Sequence, residues 1–178
     1  AVPETAPPSE PDKAALTADA KAAVMAMAKT LQGELQGAIK AGGPASAVGV
    51  CHTVAPTVAA SLSEQHGVSL TRVSLKNRNP NMGVPNEWQA AVLQDFEARK
   101  AAGEAADTLA YSEIVGDEHR FMKAIPTQKV CLACHGSDVG PDVQAKIAEL
   151  YPEDRAVGYQ EGELRGAFVV VRQLGSGG

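Results

Sequence analysis

The sequence predicts an α+β fold, because helical patterns come first, strand patterns follow, and the two halves carry different hydrophobic periods. From Thr17 onward, Val24, Met27, Leu31, Leu35 and Ile39 recur three or four residues apart and stop at Gly42-Gly43, which is the period of an amphipathic helix. Residues 108–115 and 118–125 read as two strands turning at Gly116-Asp117, a hairpin signal. Residues 165–172 hold the β-branched run of a buried strand. An all-helical chain is excluded by this order.

The remaining elements follow in turn. Pro3, Pro7, Pro8 and Pro11 sit among Glu and Ser, so residues 1–16 are expected to form a tether ahead of one domain over 17–174, with 175–178 as a frayed tail. A second helix is expected over 44–65, interrupted at Pro56 and closed by Gly67 in the position a C-cap glycine prefers. Residues 70–76 read as a strand, and 77–83, rich in Asn, Pro and Gly, as an ordered loop. Asn86 caps a helix through Lys100 whose apolar stripe is Trp88, Val92, Leu93 and Phe96. A short helix is expected near 143–150.

The chemistry concentrates in Cys131-Leu132-Ala133-Cys134-His135. This C-x-x-C-H spacing is the attachment signature of a c-type haem: two thiols add to the two vinyl groups of one porphyrin and the imidazole turns back onto the iron. A thioredoxin-like pair gives no reason for the His, and no second C-x-x-C exists to complete a zinc tetrad. One covalent haem c is therefore expected. Haem c is attached on the oxidising side of a membrane, so the third cysteine, Cys51, needs burial, a partner or a metal.

Composition narrows the classes further. Net charge is −5 without a Lys/Arg cluster, which gives a nucleic-acid partner no electrostatic support. The chain begins Ala-Val-Pro-Glu-Thr and reads as an exported, periplasmic protein whose signal is gone. No stretch is expected to reach the ~18 apolar residues of a transmembrane helix.

Five ordered segments carry a family resemblance: 50–56 (Val-Cys-His-Thr-Val-Ala-Pro), 74–81 (Ser-Leu-Lys-Asn-Arg-Asn-Pro-Asn), Asn86-Glu87-Trp88, the C-x-x-C-H motif, and 158–167 (Gly-Tyr-Gln-Glu-Gly-Glu-Leu-Arg-Gly-Ala). Over about residues 17–173 the chain resembles the single-haem c-type domains with a PAS-like fold, found as stand-alone exported proteins and as sensor halves of membrane histidine kinases. The resemblance implies an antiparallel sheet carrying the haem on one face and an unusual axial pair, His135 and a Cys51 thiolate. Iron would supply the partner that Cys51 lacks, since a metal depresses a thiol's pKa. His52, adjacent on the helix, is the next candidate, and Met82 and Met122 follow as the His/Met alternatives. His66 and His119 are expected at the surface. Arg78, in the polar 76–79 loop, is the candidate haem or ligand contact; Tyr159 and Arg165 belong to another family-like segment, where Arg165 has Glu161 and Glu163 within reach.

Function divides between a redox or diatomic-gas sensor working through ligand exchange at Cys51 and a small electron-transfer cytochrome. An anionic thiolate favours ferric iron and a low potential, and a thiolate on ferrous iron is easily displaced, so sensing is the leading expectation. Catalysis is not expected, because a six-coordinate iron offers no open site. The expected partners are a redox or signalling protein, a small diatomic ligand, and a second copy docking through the long first helix.

Overall fold

The computed structural model describes residues 12–76, 78 and 83–175. Residues 176–178 of the expected 175–178 tail, and most of the tether, lie outside these residues. Helix α1 spans Lys13–Gly42, with the Asp12 carboxylate accepting from the Ala14 and Ala15 N–H groups. It therefore starts inside the expected 1–16 tether: the cap at Asp12 and the alanines that follow favour helix before the apolar stripe begins.

Helix α2 (Pro44–Gly49), a π-helical turn (Val50–Val54) and α3 (Ala55–His66) form one near-continuous rod, ended by Gly67 in the left-handed conformation, φ 64°. The interruption expected at Pro56 lies upstream of it. Pro56 is the second residue of α3, and the register change falls just upstream of it, on Val50–Val54. Pro44–His66 is also long and apolar enough, by length and composition, to cross a membrane, contrary to the sequence expectation. Its Ala, Val and uncharged polar residues give that hydropathy. In the fold Ala55, Val58, Ala59 and Leu62 pack with α1 and the sheet, while Val48 packs against Val143, Ile147 and Tyr151.

Four antiparallel strands follow: β1 (Ser69–Val73), β2 (Ala110–Val115), β3 (Glu118–Pro126) and β4 (Leu164–Gln173), in the order β1-β4-β3-β2. The hairpin at Gly116-Asp117 joins β2 and β3 as expected. Alternation along the strands splits the core in two. Leu70, Phe121, Phe168 and Val170 face α1 and α3; Val73, Met122, Ala167 and Val169 face α4 (Glu87–Ala101). Helix α4 opens with Asn86 and Gln89 capping each other's backbone. Two helices lie in the β3–β4 connection, α5 (Leu132–His135) and α6 (Pro141–Leu150).

The hairpin location of His119 did not leave it at the surface. It is 1% exposed and bonded to Ser112 Oγ at 2.9 Å, because β4 and the N-terminal end of α1 cover that part of β3.

Candidate functional site

The C-x-x-C-H motif sits in two short turns, a 3₁₀ turn at Lys129–Cys131 and α5, with all three cysteines of the chain unpaired. Neither turn would hold itself together in isolation. Residues 154–159 fasten it: Tyr159 N–H donates to the His135 carbonyl at 2.8 Å and Gly158 N–H to the Gly136 carbonyl at 2.9 Å. Gly136 is required where it stands, since a Cβ there would strike the Leu132 carbonyl.

The His135 ring is oriented by the same segment. Its Nδ1 lies 2.7 Å from the Ala156 carbonyl, so Nδ1–H donates there and Nε2 is left with its lone pair. Burial, then Arg165 and Arg78, hold the imidazole well below its usual pKa, which keeps it neutral and competent as a metal ligand. The Tyr159 ring meets it edge-on at 6.3 Å.

Arg78 is at the site. Its side chain is buried; Nε donates to Asp154 Oδ1 at 3.1 Å, and Nη2 donates to the Ala156 and Cys134 carbonyls. Asp154 also accepts from Ala156 N–H at 2.8 Å. Arg78 thus ties its own loop, the motif and the 154–156 segment together, acting on the motif's position.

Cys51 lies in the π turn. The π turn follows directly on α2, whose Val48 packs in one cluster with Cys134 and Tyr151, which places Cys51 on the motif's side of the fold. Cys134 packs beside Val48, one turn before Cys51, and burial raises its thiol pKa. His52 is exposed and turned toward Tyr151, ring centroids 5.4 Å apart. Burial, then Cys51, push Tyr151 up to about 12, so its phenol stays protonated. Met82 lies outside the described residues. Met122 is fully buried among Val92, Leu93 and Phe96 on the α4 face, as part of the core.

Arg165 forms no ion pair with Glu161 or Glu163 among the described residues; its guanidinium stacks on Tyr159 at 5.3 Å. Lys76 Nζ lies 4.5 Å from the same ring and donates to the Val157 carbonyl at 2.8 Å. A cavity of about 530 Å³ beside Gly136, Tyr151 and Asp154 adjoins the motif, and one of about 310 Å³ lies between Lys76, Tyr159 and Arg165 and α4; neither is lined by the motif's thiols.

A family model described as Tll0287-like matches residues 9–172. The chain belongs to the Tll0287-like family. The crystal structure of the cyanobacterial haem protein Tll0287 is similar to it, with 26% identity and a TM-score of 0.61 over 84% of this chain and 92% of that one. No curated protein matches it. Set beside this family membership, the residues that sequence reasoning missed are Asp154, Ala156 and Tyr151. None lies in a spacing motif, and the Ala156 contribution is a backbone carbonyl, which any residue carries and only the loop path places.

The donor set fits a c-type haem. Two unpaired thiols and a neutral imidazole with a free Nε2 share one short segment, and a third thiol follows Val48, which packs in the same cluster as Cys134.

Proposed function

We propose that this chain is an exported, non-enzymatic c-type haem protein. Cys131 and Cys134 hold the porphyrin, His135 and Cys51 supply the axial pair, and ligand exchange at Cys51 reports a redox change or a diatomic gas. Family membership supports the haem, and the α+β fold with its antiparallel sheet supports the PAS-like part of the resemblance. The observation that carries the reading is the His135–Ala156 hydrogen bond, which commits Nδ1 and leaves Nε2 for a metal. Each thiol adds S–H across a vinyl group, so attachment needs neither oxidant nor leaving group.

When bound, the haem supplies a one-electron couple and an iron whose axial ligands can be exchanged. The rest belongs to the chain. Cys51 stands in a π turn between two α-helical segments, and a π turn and an α turn differ in which carbonyl each N–H takes. Protonation of the thiolate would release Cys51 and let residues 50–54 change register, the two-state element that signalling needs. Acid-acetone extraction and intact mass test the attachment: colour that leaves the protein, or a mass lacking one haem, refutes it. Ferric and dithionite-reduced spectra with and without carbon monoxide test the exchange. A ferrous form that stays six-coordinate and ignores carbon monoxide favours the electron-carrier alternative.

A further inference from the structure

We propose that the cavity between α4 and the start of β4 binds a small acidic amino acid, its two carboxylates held by Arg165 and Lys100 and its ammonium by Glu163. At about 310 Å³ the space is at the lower end of small-ligand sites, which run upward from about 300 Å³. Five charged side chains line it: Lys76, Glu97, Lys100, Glu163 and Arg165. No two of them form an ion pair among the described residues, although both signs are present in one small space. Neither His135, Cys51 nor the motif's thiols line this cavity, so the site stands apart from the haem reading.

Three separate features bring these groups together. On α4, Leu93, Glu97 and Lys100 are four and three residues apart and share one stripe, which changes from core at Leu93 to charge over the last turns of the helix. At the start of β4, Arg165 is the bulged residue: Gly166 pairs with Ile125 and Leu164 with Pro126, so Arg165 has no partner across the ladder. A bulge re-aims its side chain. Ser74 Oγ, itself buried, donates to the Arg165 carbonyl at 2.8 Å and pins the bulge, and a Cβ on Gly166 would strike the Val73 carbonyl. The third feature is the buried Tyr159, with the Arg165 guanidinium 5.3 Å and Lys76 Nζ 4.5 Å from its ring centroid.

Charge and burial together select the ligand. Lys76 and Glu97 are exposed and of opposite sign, so they offset each other at the rim, where water screens both. Lys100, Glu163 and Arg165 are half-buried. Lys76 Nζ already donates to the Val157 carbonyl, whereas these three side chains have no hydrogen-bond partner among the described residues. Desolvated charges without partners are costly. Two cations and one anion are matched in sign and number by a molecule with two carboxylates and one ammonium. The planar guanidinium fork suits one carboxylate bidentately, the compact lysine ammonium suits the other, and Leu93 and Tyr159 give the aliphatic stem an apolar wall.

Isothermal titration calorimetry on the full chain tests this, with L-glutamate and L-aspartate as probes. At least one of them binds with one-to-one stoichiometry. Glutarate, which lacks the ammonium, and L-norvaline, which lacks the second carboxylate, each bind about tenfold more weakly or worse. Arg165→Gln weakens the acidic amino acid by a similar factor, Lys100→Gln removes its advantage over L-norvaline, and Glu163→Gln removes its advantage over glutarate. An absence of heat from both probes up to about 10 mM overturns the proposal. So does glutarate binding as tightly as L-glutamate, since Glu163 would then hold nothing. Both of these results come from the wild type and stand even if a variant fails to fold. Unchanged affinity in folded Arg165→Gln and Lys100→Gln places the binding elsewhere and overturns the proposal as well.

Discussion

His135 Nδ1 lies 2.7 Å from the Ala156 carbonyl oxygen, and that carbonyl is held in turn by Arg78 and, through the Ala156 amide, by Asp154. One buried carboxylate therefore steers the ring of the motif histidine from two bonds away. Positioning partners of this kind commonly matter nearly as much as the ligands themselves.

Asp154→Ala should accordingly be a severe change. It leaves the Arg78 guanidinium buried without its counter-charge, a loss of about 3–5 kcal/mol for a pair as enclosed as this one. Chemical denaturation should show a drop of that order, and Asp154→Asn a smaller one, because the amide still accepts from Ala156 N–H. Equal stability of Asp154→Ala and wild type would mean that the 154–156 segment does not depend on this pair.

Cys51→Ser should keep the covalent haem, alter the ferric spectrum, raise the midpoint potential by on the order of 0.1 V within the ~0.8 V that axial ligands span, and speed carbon monoxide binding to the reduced form. His52→Ala should leave all of these near wild type, since His52 faces Tyr151 and solvent. The reverse pattern would transfer the sixth position to His52 and remove the main support for sensing.

What the sequence made legible follows from how local each signal is. Asn86, Gly67 and Gly116-Asp117 act within a turn of themselves, and each lies where the pattern put it. C-x-x-C-H is equally local. The fate of His119 was not, because burial there depends on β4 and α1, elements roughly fifty and a hundred residues away in sequence. The bulge at Arg165 was hidden for a similar reason: it is a mismatch between two strands, invisible in either one alone. Arg78 was expected as a haem or ligand contact from its polar loop; that its Nη2 also reaches the Cys134 and Ala156 carbonyls depends on partners distant in sequence, which no local pattern marks.

Met122 separates core from cofactor experimentally. It is fully buried on the α4 face, so Met122→Ala should cost about 2–5 kcal/mol, whereas Met122→Leu conserves volume and should cost less than about 1.5 kcal/mol. Neither should move the ferric or ferrous absorption bands. A spectral change in Met122→Leu at unchanged stability would bring Met122 back as a ligand.

His119 gives the fold a dependence on pH that is independent of the haem motif. Its Nε2 meets Ser112 Oγ at 2.9 Å, and that hydroxyl meets Thr17 Oγ1 at 2.6 Å, so one chain of polar groups joins β3, β2 and α1. Burial lowers the His119 pKa first, and the charges of Arg172 and Lys13 lower it further; Asp19 faces the same region but is drawn toward Arg172 at 3.7 Å. With the folded pKa below the unfolded value near 6.5, the unfolded chain binds the proton more readily, so stability is full above about pH 6.5 and falls as pH drops from there toward the folded pKa. Denaturation midpoints measured between pH 8 and pH 5 should therefore decline through this window in the wild type, and the decline should shrink in His119→Gln, which keeps a hydrogen-bonding side chain but cannot charge. If both proteins lose stability in parallel, the pH dependence arises from other groups, His135 first among them, and the His119–Ser112–Thr17 chain is only a packing contact.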